Sequence, residues 1–498
     1  MHSPKQVLEN TIRRCRERDI IVPTFDEMLH PGNIPDGIRS ELGGIGLWDL
    51  HPRNLFRITW KNEPVSAGGS FGGVNFLELP AELTGVPARI VVLLGKYFPT
   101  GAHKVGATFA PLVERLVAGT FDPTTQKALW PSTGNYCRGG AYDAHLLACP
   151  SIAVLPEGMS QERFRWLETL GSEIYATPGS ESNVKEVYDK TRQLAAERPD
   201  EIVVLNQFEE FGNALWHYVC TGRAMEEVFE RIAGADHRLA AVCLTQGSAG
   251  TLGSAEYLKE KYPTIKVVAG EALQCPTLLH TGYGEHRIEG IGDKHVPWIH
   301  NLRNTDVVVG IDDEACMALM RTFNEPAGLS YLKDRGVDPE LVDELDLLGI
   351  SSIANLLIAV KTAKYFELTE RDVLVTVATD SMELYGSRIE EERALHGTYT
   401  DRDAAVHHER YMLGADMDHV LETSYWDRKR MHNLKYFTWI EQLGKPVEEL
   451  DAQWEDPDYW TSKWHRWSDL DDRIREFNER TGLLKAYGEP GTVVSSAE

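Results

Sequence analysis

The chain has no apolar run long enough to cross a bilayer. Its first residues, Met1-His2-Ser3-Pro4-Lys5, lead into the charged Arg13-Arg14-Cys15-Arg16-Glu17-Arg18 without a hydrophobic signal core, which predicts a cytoplasmic protein. Cysteine is scarce: seven residues, at 15, 137, 149, 220, 243, 275 and 316, with no C-x-x-C pair. An odd, scattered set argues for reduced thiols and against both a disulfide frame and a zinc knuckle. Basic residues are in deficit, 51 against 76 acidic ones, for a net charge of −25. Such a surface repels phosphate backbones and anionic lipid, so neither nucleic acid nor membrane is an expected partner. Internal repeats and low-complexity tracts are absent too.

What is present is an ordinary globular composition, 42% hydrophobic and 26% charged over 498 residues, enough for two or three domains. Residues 1 to about 60 mix a charged helical segment with Pro/Gly punctuation and read as an N-terminal extension wrapped on a larger body. From about 88 to 385, β-branched runs alternate with helical patterns: Ile90–Leu94, Ile202–Leu205, Ala240–Leu244, Ile265–Ala269, Thr305–Val309 and Val373–Val377. Strands spaced by helices predict an α/β fold, a mostly parallel sheet with helices on both faces. Beyond about 395 the strand-like runs disappear, and six of the twelve tryptophans fall after residue 425. This predicts a helical extension whose aromatics dock on the body or on a second subunit, with packing favoured over a ligand-facing lid.

Three stretches carry chemistry. Thr100-Gly101-Ala102-His103-Lys104-Val105-Gly106 follows an apolar strand and opens a helix. A lysine at the positive end of a helix, among glycines that admit a close neighbour, is easily deprotonated and can condense with an aldehyde. Thr245-Gln246-Gly247-Ser248-Ala249-Gly250-Thr251-Leu252-Gly253 also follows a strand and opens a helix. Its small residues expose successive backbone N–H groups, and Ser248 and Thr251 add hydroxyls, which is the chemistry of a phosphate cradle. It fits neither G-x-x-x-x-G-K-[ST] nor G-x-G-x-x-G, so a nucleoside triphosphate or dinucleotide is disfavoured. Pro131-Ser132-Thr133-Gly134-Asn135-Tyr136 sets hydroxyls and an amide at a strand-to-helix turn, where they can receive a carboxylate or a phenolate oxygen. Each is weak alone. Together they are the parts needed to hold pyridoxal phosphate with an α-amino acid.

These motifs resemble the fold-type II pyridoxal-phosphate enzymes, the family of cysteine synthase, cystathionine β-synthase, threonine deaminase and the tryptophan synthase β subunit. Thr100 to Lys104 is similar to the tryptophan synthase form of the lysine motif, and Ser132 to Tyr136 to the T-S-G-N-T loop of cysteine synthase. Gly158 to Arg163, ending in Leu170-Gly171, resembles M-S-x-E-R…L-G, and Gln207-Phe208 with Asn213, His217, Thr221 and Gly222 resembles Q-F…N…H…T-G. Gly247 to Leu252 resembles G-T-G-G-T-L, Ile288 to Gly292 resembles I-Q-G-I-G, and Gly349 to Ser352 resembles G-I-S-S.

The resemblance implies two lobes, each with a mostly parallel twisted sheet: residues 61–98 and 216–395 as the larger cofactor lobe, 99–215 as the smaller substrate-loop lobe, and 396–498 as the helical extension. It implies that Lys104, flanked by His103, forms the imine with the cofactor and then acts as base at Cα. Gly247, Ser248, Ala249, Gly250 and Thr251 would hold the phosphate, and Asn135 the ring's O3′. Ser132, Thr133, Gly134, Asn135, Tyr136 and Gln207 would take the substrate carboxylate. Ser351 would face the pyridine nitrogen, with Ser381 of Thr379-Asp380-Ser381 as the competing candidate; a serine there favours elimination across Cα–Cβ over full carbanion delocalisation. The implied activity is β-replacement or β-elimination on an L-amino acid with a Cβ leaving group, through an aminoacrylate, with a thiol or sulfide as nucleophile, in a homodimer. A serine/threonine-type deaminase and a catalytically silent cofactor- or partner-binding protein are the alternatives.

Departures from the family pattern are Tyr136 for a small Thr, Cys137-Arg138 for small residues, and Ala249 for a glycine, tolerable while its φ stays negative. Arg138 is expected in a surface ion pair rather than on a second acidic group of the substrate. The long terminal additions could cover the mouth of the site. His407, His408, His419 and His432 are expected to be solvated rather than metal ligands. Glu383 and Arg388 read as ion partners, and Cys243 and Cys275 as core thiols.

Overall fold

The apolar runs are strands enclosed in two sheets. The computed structural model describes residues 3–132, 134–159, 161–179 and 184–487, without the side chains of 161–163 and 184. Among these residues the strands are β1 (Phe76–Leu79), β2 (Arg89–Leu94), β3 (Lys127–Pro131), β4 (Ser151–Pro156), β5 (Glu173–Thr177), β6 (Ile202–Val204), β7 (Arg238–Thr245), β8 (Lys266–Ala272), β9 (Val307–Ile311), β10 (Asp372–Ala378) and β11 (Val420–Glu422). The larger sheet runs β1-β2-β10-β7-β8-β9-β11 and the smaller β5-β4-β3-β6. Strands β2, β10, β7, β8 and β9 are parallel, with β1 and β11 antiparallel at the edges, and the smaller sheet is parallel throughout. Ile90, Val91, Val92 and Leu93 are fully buried, which is why β2 is apolar throughout instead of alternating.

The helices that matter here are α1 (Pro4–Glu17), α2 (Lys104–Ala118), α3 (Asn135–Leu146), α4 (Leu252–Lys261), α5 (Ile350–Tyr365) and α6 (Trp467–Thr481). α5 is buried along nearly its whole length and packs across β7, β9 and β10, while α2 packs on α3. α2, α3, α4 and α5 all begin beyond the carboxyl ends of parallel strands. Ligands in open α/β sheets gather at that edge.

Both terminal extensions belong to the same core. Asp471 of α6 accepts hydrogen bonds from the backbone N–H groups of Phe25 (2.7 Å) and Asp26 (3.0 Å), capping the short helix Phe25–Leu29. Asn478 pairs with both backbone groups of Val22, at 3.1 and 2.7 Å. Of the late tryptophans, Trp439, Trp460 and Trp464 are buried, whereas Trp426 is 75% exposed. Trp464 stacks on Tyr218, Trp439 donates to the Val296 carbonyl at 2.8 Å, and Lys435 donates to the carbonyls of Trp298 and His300 and to Gln453. The extension thus braces residues 296–300, just after the Ile288–Gly292 loop.

Three expectations are corrected. Strand-like structure does not end at 395, because β11 pairs with the edge of β9; at three residues it is too short to show a period. His408 and His432 are buried rather than solvated, donating ring N–H groups to the carbonyls of Leu83 (2.8 Å) and Leu450 (3.1 Å). Arg138 is only 5% exposed, with its guanidinium between the indoles of Trp48 (5.8 Å) and Trp166 (5.7 Å), so it is buried rather than at the surface. All seven cysteines are buried, and Arg388 pairs with Glu289 and Glu391, both at 2.6 Å. No described helix is long and apolar enough to cross a membrane.

Candidate active site

The segments after β2, β3, β7 and β10 converge on Lys104. β2 leads through two short turns, with Thr100 and Gly101 at positive φ, to the start of α2. The Lys104 side chain is partly buried, and its amine donates to the Ser248 hydroxyl at 3.2 Å. Burial lowers its pKa to about 8, against a smaller opposing pull from the Asp293 carboxylate. His103 is wholly buried, its backbone N–H on the Thr379 carbonyl and its ring on the Thr379 hydroxyl, both at 3.2 Å. Burial, and then the Lys104 charge, bring its pKa down to about 3, so the imidazole is neutral.

Ser248 is the hub. Besides Lys104, its oxygen accepts from Asn213 Nδ2 at 3.1 Å and from the Gly250 N–H at 3.3 Å. Asn213 Nδ2 also donates to the Gln207 carbonyl at 2.9 Å, and Gln207 Nε2 to Ser132 at 3.2 Å. One chain of contacts therefore links the lysine, the small-residue loop and two residues expected at the substrate carboxylate. Thr133 lies outside the described residues, as does Ser160 of the Gly158–Arg163 motif. Gly134 precedes α3, and Asn135 at its start donates to Asp380 Oδ2 at 2.5 Å. Asp380 also accepts from the Tyr385 hydroxyl at 2.7 Å, so it joins α3 to the segment after β10. The sequence signal for Asp380 was no more than its place beside Ser381. Tyr136 is buried edge-on against Trp130 at 5.6 Å.

The two candidate serines occupy different places. Ser351, at the start of α5, is 3% exposed and sits near Gly290, where an added Cβ would lie 3.9 Å from its hydroxyl. Ser381 is 1% exposed and directly follows Thr379 and Asp380, the partners of His103 and Asn135.

Gly247 to Thr251 form the turn between β7 and α4, leaving backbone N–H groups at the positive end of a ten-residue helix. Glycine is required at two of these positions: a Cβ on Gly247 would lie 2.9 Å from the Gly290 carbonyl, and one on Gly250 would lie 2.1 Å from Asn213 Oδ1. Ala249 departs from expectation. Its φ is +63°, in the left-handed region that costs an L-residue about 1 kcal/mol. Ala249→Gly is therefore expected to stabilise the protein by roughly 0.5 kcal/mol after the entropy of the added glycine, read as a raised thermal midpoint.

The residues present fit a phosphorylated aldehyde. An amine of lowered pKa faces a cradle of N–H and hydroxyl donors. The polar atoms Asn135 Oδ1, Asn213 Oδ1 and both amide atoms of Gln246 are buried with no hydrogen-bond partner among the described residues. Such orphans cost about 1–3 kcal/mol each, which a polar group bound among them relieves. Among the described residues, no group of three or more His, Cys, Asp or Glu could hold a metal ion.

A partly buried lysine of lowered pKa beside a helix-start turn of N–H and hydroxyl donors, set at the carboxyl edges of two parallel sheets, is an arrangement able to take a phosphorylated aldehyde on its amine. Residues 71–330 match the family model described as pyridoxal-phosphate dependent enzyme, and the chain belongs to that family. Its cofactor is pyridoxal phosphate. The chain is 29% identical over 317 residues to cystathionine beta-synthase of Saccharomyces cerevisiae, covering 62% of this chain and 59% of that protein. It is 29% identical over 315 residues to cysteine synthase of Staphylococcus aureus, covering 63% and 93%. The O-acetylserine dependent cystathionine beta-synthase from Helicobacter pylori superposes with a TM-score of 0.52 at 26% identity, over 63% of this chain and 94% of that one. O-acetyl serine sulfhydrylase isoform 3 from Entamoeba histolytica shares the fold, with a TM-score of 0.56 at 22% identity over 69% and 94%. The fold is type II, with mixed α/β lobes on parallel sheets.

Proposed function

We propose that this protein catalyses β-replacement on an L-amino acid bearing a leaving group at Cβ, with a thiol or sulfide as the incoming nucleophile. The observation that carries it is the chain of contacts from Lys104 through Ser248 and Asn213 to Gln207 and Ser132, which sets base, cradle and carboxylate site together. When bound, the cofactor supplies an electron sink for the bond breaking at Cα and Cβ. Lys104 holds the cofactor, then takes the proton from Cα. Ser248, Thr251 and the N–H groups of Gly247, Ala249 and Gly250 bind the phosphate. Asn135, oriented by Asp380, faces the ring oxygen, and Ser381 or Ser351 the ring nitrogen. Ser132, Thr133, Gly134, Tyr136 and Gln207 orient the substrate carboxylate. The neutral His103 packs between the rings of Trp60 (5.6 Å) and His217 (4.9 Å) and excludes water beneath the lysine.

The two lobes are residues 61–98 with 216–395, and 99–215, with terminal segments 1–60 and 396–498 packed on them. Trp48, from the first segment, lies against Gly101, where an added Cβ would be 2.9 Å from its ring. The odd, scattered set of cysteines supports a reducing, cytoplasmic setting, and the exposed Tyr425, Trp426 and Phe437 support a homodimer.

The test is a screen of O-acetylserine, serine and threonine with purified protein, with and without sulfide or homocysteine. Product that forms only with the added nucleophile supports replacement; keto acid released at the same rate without it selects the deaminase reading. A pH effect follows from the lowered Lys104 pKa. Only the neutral amine attacks an aldehyde, so covalent reloading of the apoprotein with pyridoxal phosphate is expected to speed up as pH rises and to be half-maximal near pH 8, not near 10.5. Stopped-flow absorbance between pH 6 and 10 reads this directly.

A further inference from the structure

A cavity of about 440 Å³ lies between the N-terminal extension and the small lobe, at the end of α3 opposite Asn135. The last turn of α1 contributes Arg14 and its C-cap Arg18, the end of α3 contributes His145, and the connection into β4 and its first residue contribute Cys149 and Ser151. No carboxylate lines it, in a chain with 25 more acidic than basic residues. The neighbouring carboxylates are engaged elsewhere: Glu17 lies 4.0 Å from Arg13, and Asp19 pairs with the buried Arg53 at 2.5 Å. Arg14 spends one N–H on the Ala148 carbonyl at 3.1 Å and pairs with no carboxylate among the described residues. Neither does Arg18, which is exposed. His145 donates Nδ1–H to the Leu170 carbonyl at 3.2 Å, which fixes its ring at the cavity wall.

We propose that this cavity is a binding site for a compact polyanion, a metabolite bearing phosphate or several carboxylates. Two guanidinium groups with no carboxylate partner among the described residues, four positions apart at the end of α1 and both on the cavity wall, match the forked geometry of such oxyanions. The carbonyl ends of α1 and α3 both oppose an anion, but together they carry about one charge, against two full charges on the arginines. The Ala148 carbonyl, just beyond the end of α3, is already covered by Arg14. A bound anion ties α1 to the end of α3, the helix that starts at Asn135 about 18 Å away. The site thus couples the N-terminal extension to the lobe that positions Asn135. Phosphate and polycarboxylate share this chemistry, and the choice of probe separates them.

The test is isothermal titration of the holoenzyme, its own cofactor in place, with inorganic pyrophosphate and separately with citrate in chloride buffer. One site per chain is expected, weakened about tenfold or more in Arg18→Glu and less in Arg18→Ala. Arg18 is exposed and unpaired, so both variants keep the fold, which circular dichroism checks. Binding of pyrophosphate but not citrate assigns a phosphate ligand, and the reverse a polycarboxylate. Equal affinity in wild type and both Arg18 variants, or no binding of either probe at millimolar concentration, would overturn the proposal.

Discussion

Lys104→Ala is expected to lower turnover by about 10³-fold or more, since in the proposed reaction this lysine is both the anchor of the cofactor and the base at Cα. The loss is chemical rather than structural. Among the described residues the side chain donates a single hydrogen bond, to Ser248 at 3.2 Å, and pairs with no carboxylate at contact distance, so its removal strands no buried charge. Ser248 keeps two other donors, from Asn213 and Gly250. Borohydride reduction followed by peptide mass spectrometry separates attachment from activity. Wild-type protein should carry the cofactor mass on the peptide containing Lys104, and the variant should carry none there. Equal covalent labelling of the variant at another lysine would sink the assignment of the anchor.

Gly250→Ala is expected to weaken cofactor retention by about 30-fold and to destabilise the protein by about 2 kcal/mol. The added Cβ would lie 2.1 Å from Asn213 Oδ1, and that side chain is fully buried. Asn213 cannot swing aside without losing its bonds to the Gln207 carbonyl and to Ser248, which would uncouple the phosphate cradle from the carboxylate site. Dialysis against buffer, followed by cofactor absorbance and a thermal midpoint, reads both effects. Gly386→Ala is the control, because a Cβ there meets nothing within 4 Å. A Gly250 variant that matched this control would show that the loop gives way without cost.

Local signals carried much of the site. Each of the three motifs begins where an apolar strand ends and a helix starts, a boundary that strand composition and small residues mark within about ten positions. Lys104, Ser248 and Asn135 could therefore be named from their own neighbourhoods, whereas Gln207 was reached only through the family resemblance of the Gln207-Phe208 run. Asp380 could not be given a role in that way: its contacts reach Asn135, 245 positions earlier in the chain. The conformation of Ala249 was equally hidden, because sequence gives the residue but not the sign of its φ. Arg138 and His408 were misjudged for a shared reason. Polar types default to solvent, and only packing reveals that two indoles flank one and a carbonyl receives the other.

By itself the sequence determined the kind of chemistry: an amine at a helix start, a run of small residues able to present backbone donors, and alternating strands and helices that can only close as parallel sheets. Those properties are local, set by side-chain type and by a period of two or 3.6 residues. The tertiary structure alone decided that the Ser248 hydroxyl would gather Lys104, Asn213 and Gly250, and that Asp380 would hold Asn135. It also decided that α6 would cap a helix near the opposite terminus. Contacts between residues far apart in the chain depend on how sheets and helices stack, and stacking is fixed by the whole buried surface rather than by any one stretch.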